Sequence, residues 1–361
     1  MQGGSFVYKI TDITDQIKNM RGLESNLTMR NNMKDDLILV AGAGGFIGGE
    51  LVHYFRDKGF TNIRAVDKKP VPDWFQVTQG VESLCLDLSI PDNCKRAVGG
   101  ATEVYNLAAD MGGIGFIKSY RVECLRSVLI NTNLIEEAYK AGVTRYFFAS
   151  SACVYNTELQ EDSVARALKE SDAFPAMAER GYGWEKLLSE MVCQEYWEER
   201  GFETHIARFH NTYGLEGAWD GGREKAPAAL CRKVIETEHS GYPSITIWGD
   251  GSQTRSYTYI DDCVRGIDMI MHNGLLIATP VNLGTSELIS INDLVSLIED
   301  IAGFKVHREY NLGAPIGVAG RNSDNTLIQS ILGWQPDTPI SEGMKKTYEW
   351  IRQQVAEKKY E

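Results

Sequence analysis

Three short strings carry side chains that could move protons. Ser150-Ser151-Ala152-Cys153-Val154-Tyr155 offers a thiol, and Gly221-Gly222-Arg223-Glu224-Lys225-Ala226-Pro227 offers an amine. Tyr182-Gly183-Trp184-Glu185-Lys186 places a phenol and an ammonium at i and i+4, one face of a helix. An ammonium beside a phenol favours the phenolate. Such a tyrosine can exchange a proton with a sugar hydroxyl while hydride passes to or from a nicotinamide. A redox pair together with a separate acid/base pair implies an enzyme that oxidises a carbon, moves protons beside it and reduces it again. Alone, each string also has a bland reading. Cysteine is often a small buried hydrophobe, a lysine in a glycine-rich loop is usually solvated, and Tyr-x-x-x-Lys recurs by chance.

The elements around these strings give them weight. Val40-Ala41-Gly42-Ala43-Gly44-Gly45-Phe46-Ile47-Gly48 satisfies G-x-x-G-x-x-G, follows the apolar run Leu37–Val40 and opens a helical pattern over about 47–58. That context suits a dinucleotide: glycines let the backbone approach a pyrophosphate, and the helix N-terminus stabilises its charge. Asp67, after the run Ile63–Val66, can accept hydrogen bonds from the ribose hydroxyls and would repel a 2′-phosphate, which favours NAD over NADP. Lys68 and Lys69 pull the other way. Asp87-Leu88, after the run Ser83–Leu86, reads equally as an adenine contact or an ordinary strand-end turn. Further runs at 103–107, 146–149 and 205–209 alternate with helical segments at about 121–141 and 183–200. This alternation predicts an α/β fold with a doubly wound parallel sheet.

Three regions are expected. Residues 1–34 read as a loosely packed extension, 35–209 as the dinucleotide-binding domain, and 210–361 mainly as a smaller α/β substrate-binding domain. Residues of about 246–262 are expected to return to the first domain.

Composition excludes several classes. A net charge of −12 over 361 residues argues against a nucleic-acid coat or an anionic membrane surface. The seven cysteines are scattered and never spaced C-x-x-C, which fits reduced thiols in a cytosol better than a disulfide framework or a metal site. No apolar stretch is long enough for a membrane span, and no secretory signal is expected.

Gly42–Gly48, the Ser150/Ser151 pair and Tyr182/Lys186 resemble the extended short-chain dehydrogenase/reductase family, which acts mostly on nucleotide sugars. The strings 106–116, 208–214, 221–229, 248–256 and 320–325 resemble the GDP-sugar 3,5-epimerases within it. The resemblance implies a Rossmann-like fold, NAD, a homodimer built on the 121–141 and 183–200 helices, and inversion of C3 and C5 of GDP-mannose through a 4-keto sugar. Oxidation at C4 makes both neighbouring protons α to a carbonyl, so each centre can be deprotonated on one face and reprotonated on the other. The resemblance maps the base onto Cys153 and the acid onto Lys225, with Tyr182, Lys186 and Ser151 serving C4.

The implied cofactor contacts are Gly42, Gly45, Phe46, Ile47 and Gly48, then Asp67, Asp87 and Leu88. Leu107, Ala108 and Ala109 follow, with Ser150, Tyr182 and Lys186. For the sugar nucleotide they are Gly112 and Gly113 in a close-approach loop, Ser151, Ala152, Cys153 and Tyr182, then Asn211, Glu224, Lys225 and Ala226. Gln253 and Thr254 complete this side, with Arg255 and Arg321 as the natural phosphate clamps. Lys233 is weaker, because Cys231-Arg232-Lys233 reads as the start of an exposed helix, and His210 reads equally as a packed neutral imidazole. Departures from the family pattern are a long 236–245 segment, Asn156 in place of proline and Ala319 in place of arginine. They leave open which GDP-hexose is preferred. A 4-epimerase would share the redox residues without needing Cys153 or Lys225. A 4,6-dehydratase would want an acidic residue near Ser150-Ser151, and 151–156 offers none. A catalytically silent NAD sensor would be free to lose Tyr182 or Lys186, and both are present.

Overall fold

Six apolar runs read from the sequence, with a seventh segment at 280–283 that the reading did not single out, become seven parallel strands in the computed structural model, which describes residues 34–358. The strands are β1 (Ile38–Ala41), β2 (Ile63–Asp67), β3 (Glu82–Cys85), β4 (Glu103–Asn106), β5 (Arg145–Ser151), β6 (Glu203–Phe209) and β7 (Pro280–Leu283). Their order in the sheet is β7-β6-β5-β4-β1-β2-β3. Every residue of β1 is buried, as a continuous apolar strand requires when helices cover both faces, and β4 is buried too, with its polar Glu103 and Asn106 paired to Arg145 and Asn131. The expected N-terminal extension lies outside the described residues except for Lys34.

Alternation along β1 splits the core. Ile38 and Val40 pack with Leu51, Val52 and Phe55 of α1 (Phe46–Asp57). Leu39 and Ala41 face the other way, towards Leu134 and Ile135 of α2 (Arg121–Lys140) and Cys193 of α3 (Tyr182–Arg200). Strand order reverses between β1 and β4, so the loops leaving their carboxyl ends diverge and open a crevice.

The second domain differs from the expectation in two ways. Residues 244–248 pair with 307–311, and 254–256 pair with 288–290 and 320–323, so this stretch stays with the C-terminal strands. Thr258-Tyr259 pair with Thr212-Tyr213, and the chain then passes through a helix over Ile260–Met271 to β7, which joins the seven-stranded sheet beside β6. The early residues Ala167-Leu168 join the second domain's sheet by pairing with Asn322-Ser323. Both exchanges depend on pairings across long sequence separations, which local patterning does not encode.

At the opposite, amino ends of the strands sits a buried ionic cluster. Glu103 of β4 contacts Arg145 of β5 at 3.0 Å and His272 at 3.1 Å. His272 also meets Asp268 at 3.3 Å, and Tyr54 of α1 donates to that carboxylate at 2.8 Å.

Candidate active site

The glycine loop is sterically compelled. Gly42 has φ +83°, and a Cβ there would lie 2.8 Å from the Leu107–Ala108 backbone. A Cβ on Gly48 would stand 2.2 Å from the Gly42 carbonyl oxygen. Gly45 caps the N-terminus of α1. Beside this loop lies a cavity of about 600 Å³, within the range of cofactor sites. Phe46 and Ile47 line it with the loop, as do Asp67, Asp87 and Leu88 where β2 and β3 end. Leu107, Ala108 and Ala109 line it where β4 ends, followed by Ser150, Tyr182 and Lys186. Asp67 accepts the Gly44 and Lys69 amides at 3.1 and 3.0 Å. The two lysines that weakened the NAD reading are engaged elsewhere: Lys68 pairs with Asp110 at 2.5 Å, and the Lys69 ammonium donates to the Gly44 carbonyl. A backbone cradle that only glycine can form, ending beside a strand-end aspartate, fits a dinucleotide.

A second cavity of about 470 Å³ shares Ser151, Tyr182 and Lys225 with the first. Gly112 and Gly113 form part of its wall, held close by the 223–224 backbone: Gly113 donates to the Arg223 carbonyl at 3.1 Å. Ala152, Cys153, Asn211, Glu224 and Ala226 also face it, as do Lys233, Gln253, Arg255 and Arg321. Thr254 lines neither cavity; its hydroxyl donates to the Ser163 carbonyl at 2.5 Å. Lys225 is the N-cap of α4 (Ala226–Thr237), with Pro227 in the first turn, where its missing N–H costs nothing. Cys231 is therefore buried mid-helix rather than opening an exposed one, and Lys233 reaches back to donate to the Thr246 carbonyl at 2.7 Å.

The two arginines expected to clamp phosphate have other partners. Arg255 spends its donors on the carbonyls of Thr254, Ile316, Val318 and Ala319. Burial first, then the neighbouring Arg321 charge, pulls its guanidinium down to about 10. Arg321 lies on the thiol instead: Nη1 donates to Cys153 Sγ at 3.4 Å, Nε donates to Gln160 at 2.6 Å, and Nη2 stands 3.6 Å from Glu179 Oε2. Its own strand carries it there: Arg321 pairs with Arg255 in the second sheet, and both side chains face the second cavity.

Burial dominates the protonation of the reacting groups. It pushes the Cys153 thiol up, with Glu179 adding and Arg321 opposing. It pushes Lys225 down, opposed by the Cys153 and Cys263 sulfurs. Both groups are thus biased to their neutral forms, one holding a proton and the other a lone pair. Tyr182 departs from the expectation: burial drives its phenol up, Cys153 and Glu185 add, and a hydrogen bond with Ser151 opposes. The Lys186 ammonium stands 3.8 Å from Glu185, 4.7 Å over the Phe148 ring and 5.6 Å from the centre of the Tyr182 ring, and burial outweighs it at the phenol. Ser151 also accepts the Cys153 amide at 3.2 Å, tying the redox and acid/base residues together. Ser150 donates to Glu190, which is clamped by Arg208, so it braces the strand end as it faces the cofactor cavity. His210 is buried, bonded to Asn282 at 3.0 Å and held neutral by burial at about 3.

The sequence reading missed Glu179 and Trp248, which face the second cavity. Glu179 sits in Ala176-Met177-Ala178-Glu179-Arg180 with no motif around it; its only sequence signal is a position three residues before Tyr182. Among the described residues no cluster of metal-ligating side chains occurs, and no helix is long and apolar enough to cross a membrane.

A dinucleotide cradle opening onto a second cavity, with serine, tyrosine and lysine at the junction and a thiol in the second cavity, fits an NAD-dependent enzyme that modifies a second, separately bound molecule. Comparison with known proteins narrows this class. The model of the NAD dependent epimerase/dehydratase family matches residues 38–284. GDP-mannose 3,5-epimerase 1 of Oryza sativa subsp. japonica is 40% identical over 329 residues, covering 89% of this chain and 83% of that protein. The structure of MoeE5 in complex with UDP-glucose and NAD superposes with a TM-score of 0.73 at 28% identity, covering 89% of this chain and 99% of that one. UDP-glucose 4-epimerase of Thermotoga maritima shares the fold at a TM-score of 0.78 and 23% identity, over 88% and 99% of the two chains. The chain belongs to the NAD dependent epimerase/dehydratase family. It is an epimerase, an isomerase that uses NAD.

Proposed function

We infer that the chain inverts C3 and C5 of GDP-mannose through a transient 4-keto sugar, giving GDP-L-galactose, with GDP-L-gulose formed by C5 inversion alone. The observation that carries this reading is a thiol and an amine in one cavity, next to Tyr182 and Ser151. NAD held by the Gly42–Gly48 loop, Asp67 and Lys186 would supply reversible hydride exchange at C4. Tyr182 takes the C4 hydroxyl proton while Ser151 hydrogen-bonds the same oxygen. The resulting ketone acidifies the protons at C3 and C5. Cys153 removes a proton from one face as its thiolate, a form that burial disfavours and the Arg321 guanidinium at 3.4 Å favours. Lys225 delivers a proton to the opposite face from its ammonium, which burial disfavours and which therefore gives the proton up readily once charged. Residues 35–209 hold most of the cofactor site and residues from 210 onward most of the sugar-nucleotide site. Close identity to a GDP-mannose 3,5-epimerase supports the substrate.

Two further parts of this reading rest on surfaces. Exposed apolar side chains line α2 and α3, including Val122, Leu125, Leu129, Trp184, Leu188 and Met191. We read them as the face of a homodimer, two helices from each copy. A monomer mass across micromolar concentrations would refute it. The seven free cysteines suit a reducing cytosol.

Glu179 brings in a second reading. A carboxylate absent from 151–156 in sequence stands beside Cys153 in space, as a 4,6-dehydratase would want. Product identification by NMR after incubation with GDP-mannose separates the two. The expected product retains its C6 hydroxyl and is inverted at C5, or at C3 and C5. A 4-keto-6-deoxy sugar would refute the epimerase.

A further inference from the structure

Inverting two centres in succession poses a proton problem. After the first inversion Cys153 holds a proton and Lys225 has lost one. The second inversion needs the thiolate and the ammonium again. Direct transfer from Sγ to Nζ would have to cross the sugar ring between them. The cavity must therefore drain a proton from the cysteine side.

Glu179 stands where such a drain is needed. Its amide donates to the Cys153 carbonyl at 2.9 Å, fixing it beside that residue. Its carboxylate lies 3.6 Å from Nη2 of Arg321, whose Nη1 is on Sγ at 3.4 Å. Nη2 has no hydrogen-bond partner although it is fully buried, so this pair has slack for the carboxylate to move. Arg321 is 7% exposed at its side chain, whereas Glu179 is 16% exposed and faces the second cavity. Glu179 is thus joined to the buried thiol through Arg321 and its own backbone, and faces the open cavity.

We propose that Glu179 is the proton relay of Cys153, accepting the thiol proton between the two inversions and passing it to solvent. The S–H bond breaks and a carboxyl O–H forms; that proton then leaves to water, while Lys225 regains one from water through its own side of the cavity. No electrons move. Arg321 faces both acids, so the group is neutral while either Cys153 or Glu179 holds the proton and carries one negative charge after that proton has left. Burial and Glu179 together raise the thiol's affinity for its proton, so recharging without an acceptor at hand would be slow. Glu179 acts through Cys153 and makes no contact with the sugar in this scheme. The proposal rests on the 3,5-epimerase reading and sets how often a turnover proceeds to its second inversion.

The test compares wild-type protein with Glu179→Gln and Glu179→Ala on GDP-mannose in D2O, quantifying singly and doubly inverted products by NMR. Glu179→Gln keeps the shape and loses the acceptor. It is expected to lower the doubly inverted share about ten-fold, on the scale of a lost acid/base group, while the transient reduced-nicotinamide signal of C4 oxidation persists. Formate added to Glu179→Ala at constant ionic strength is expected to restore the doubly inverted product. An unchanged product ratio in Glu179→Gln, or equal loss of both products with no formate rescue, would overturn the relay. Wild-type protein that forms neither product would overturn the epimerase reading itself.

Discussion

The ionic cluster at the amino ends of the strands makes a quantitative demand on stability. His272 is held between Glu103 of β4 and Asp268 of its own helix, at 3.1 and 3.3 Å. Arg145 of β5 and Tyr105 of β4 also contact the Glu103 carboxylate, Tyr54 of α1 donates to Asp268, and Glu203 and His205 of β6 extend the cluster. Burial opposes the imidazolium, but hydrogen bonds and charge from Asp268 and Glu103 win and raise it to about 9 from an ordinary 6.5. At 1.36 kcal/mol per pH unit this gap is worth about 3 kcal/mol of folding free energy. Its side chain is only 18% exposed, so solvent screening does not reduce the figure much. Glu103, pushed up by burial yet brought to about 2 by His272 and Arg145, expresses the same contact from its other end and adds nothing separate. Because the folded value lies above the unfolded one, the stabilisation is complete below pH 6.5 and is lost as pH rises through about 9. Urea denaturation of wild-type protein and His272→Gln at pH 6 and pH 10 reads this directly. The expected difference is about 3 kcal/mol at pH 6, falling to about 1 kcal/mol at pH 10, the scale of a neutral hydrogen bond. A difference that stays constant between the two pH values would refute a charged His272.

Other perturbations separate the steps. Gly48→Ala has no room for its Cβ at 2.2 Å from the Gly42 oxygen; about 1–3 kcal/mol of overpacking should weaken NAD about ten- to hundred-fold by calorimetry. Tyr182→Phe should lose both the reduced-nicotinamide transient and the products, by about 10²-fold or more in turnover. Cys153→Ala should keep the transient and lose the inversion, whereas an unaffected Cys153→Ala enzyme would favour a 4-epimerase. For Lys225, whose ammonium is destabilised by burial, turnover should fall on the alkaline side at a pH below 10.5, and Lys225→Met should abolish inversion with the transient intact.

The parts of the site built from local chain were legible in the sequence. The β1–Gly42–α1 turn announces itself because its glycines answer a clash within a few residues. The Ser151, Cys153 and Tyr182 positions follow from one strand end and one helix start. Arg321 and Glu179 were not legible in their observed roles. Arg321 reaches Cys153 across 168 positions, and its direction is set by pairing in the second sheet. The elevated Tyr182 phenol was equally hidden, because the helical spacing from Lys186 reveals proximity but not the burial that outweighs it. The domain return escaped for the same reason: Ile245 and Ile247 alternate like any half-buried strand, and only their partners at 307–311 assign them to the second domain.

Proton exchange at the sugar carbons tests the central claim most directly. GDP-mannose turned over in D2O by the NAD-loaded protein should yield product carrying deuterium at C5 and, in the doubly inverted product, at C3 as well. Turnover that leaves C3 and C5 unlabelled would contradict it.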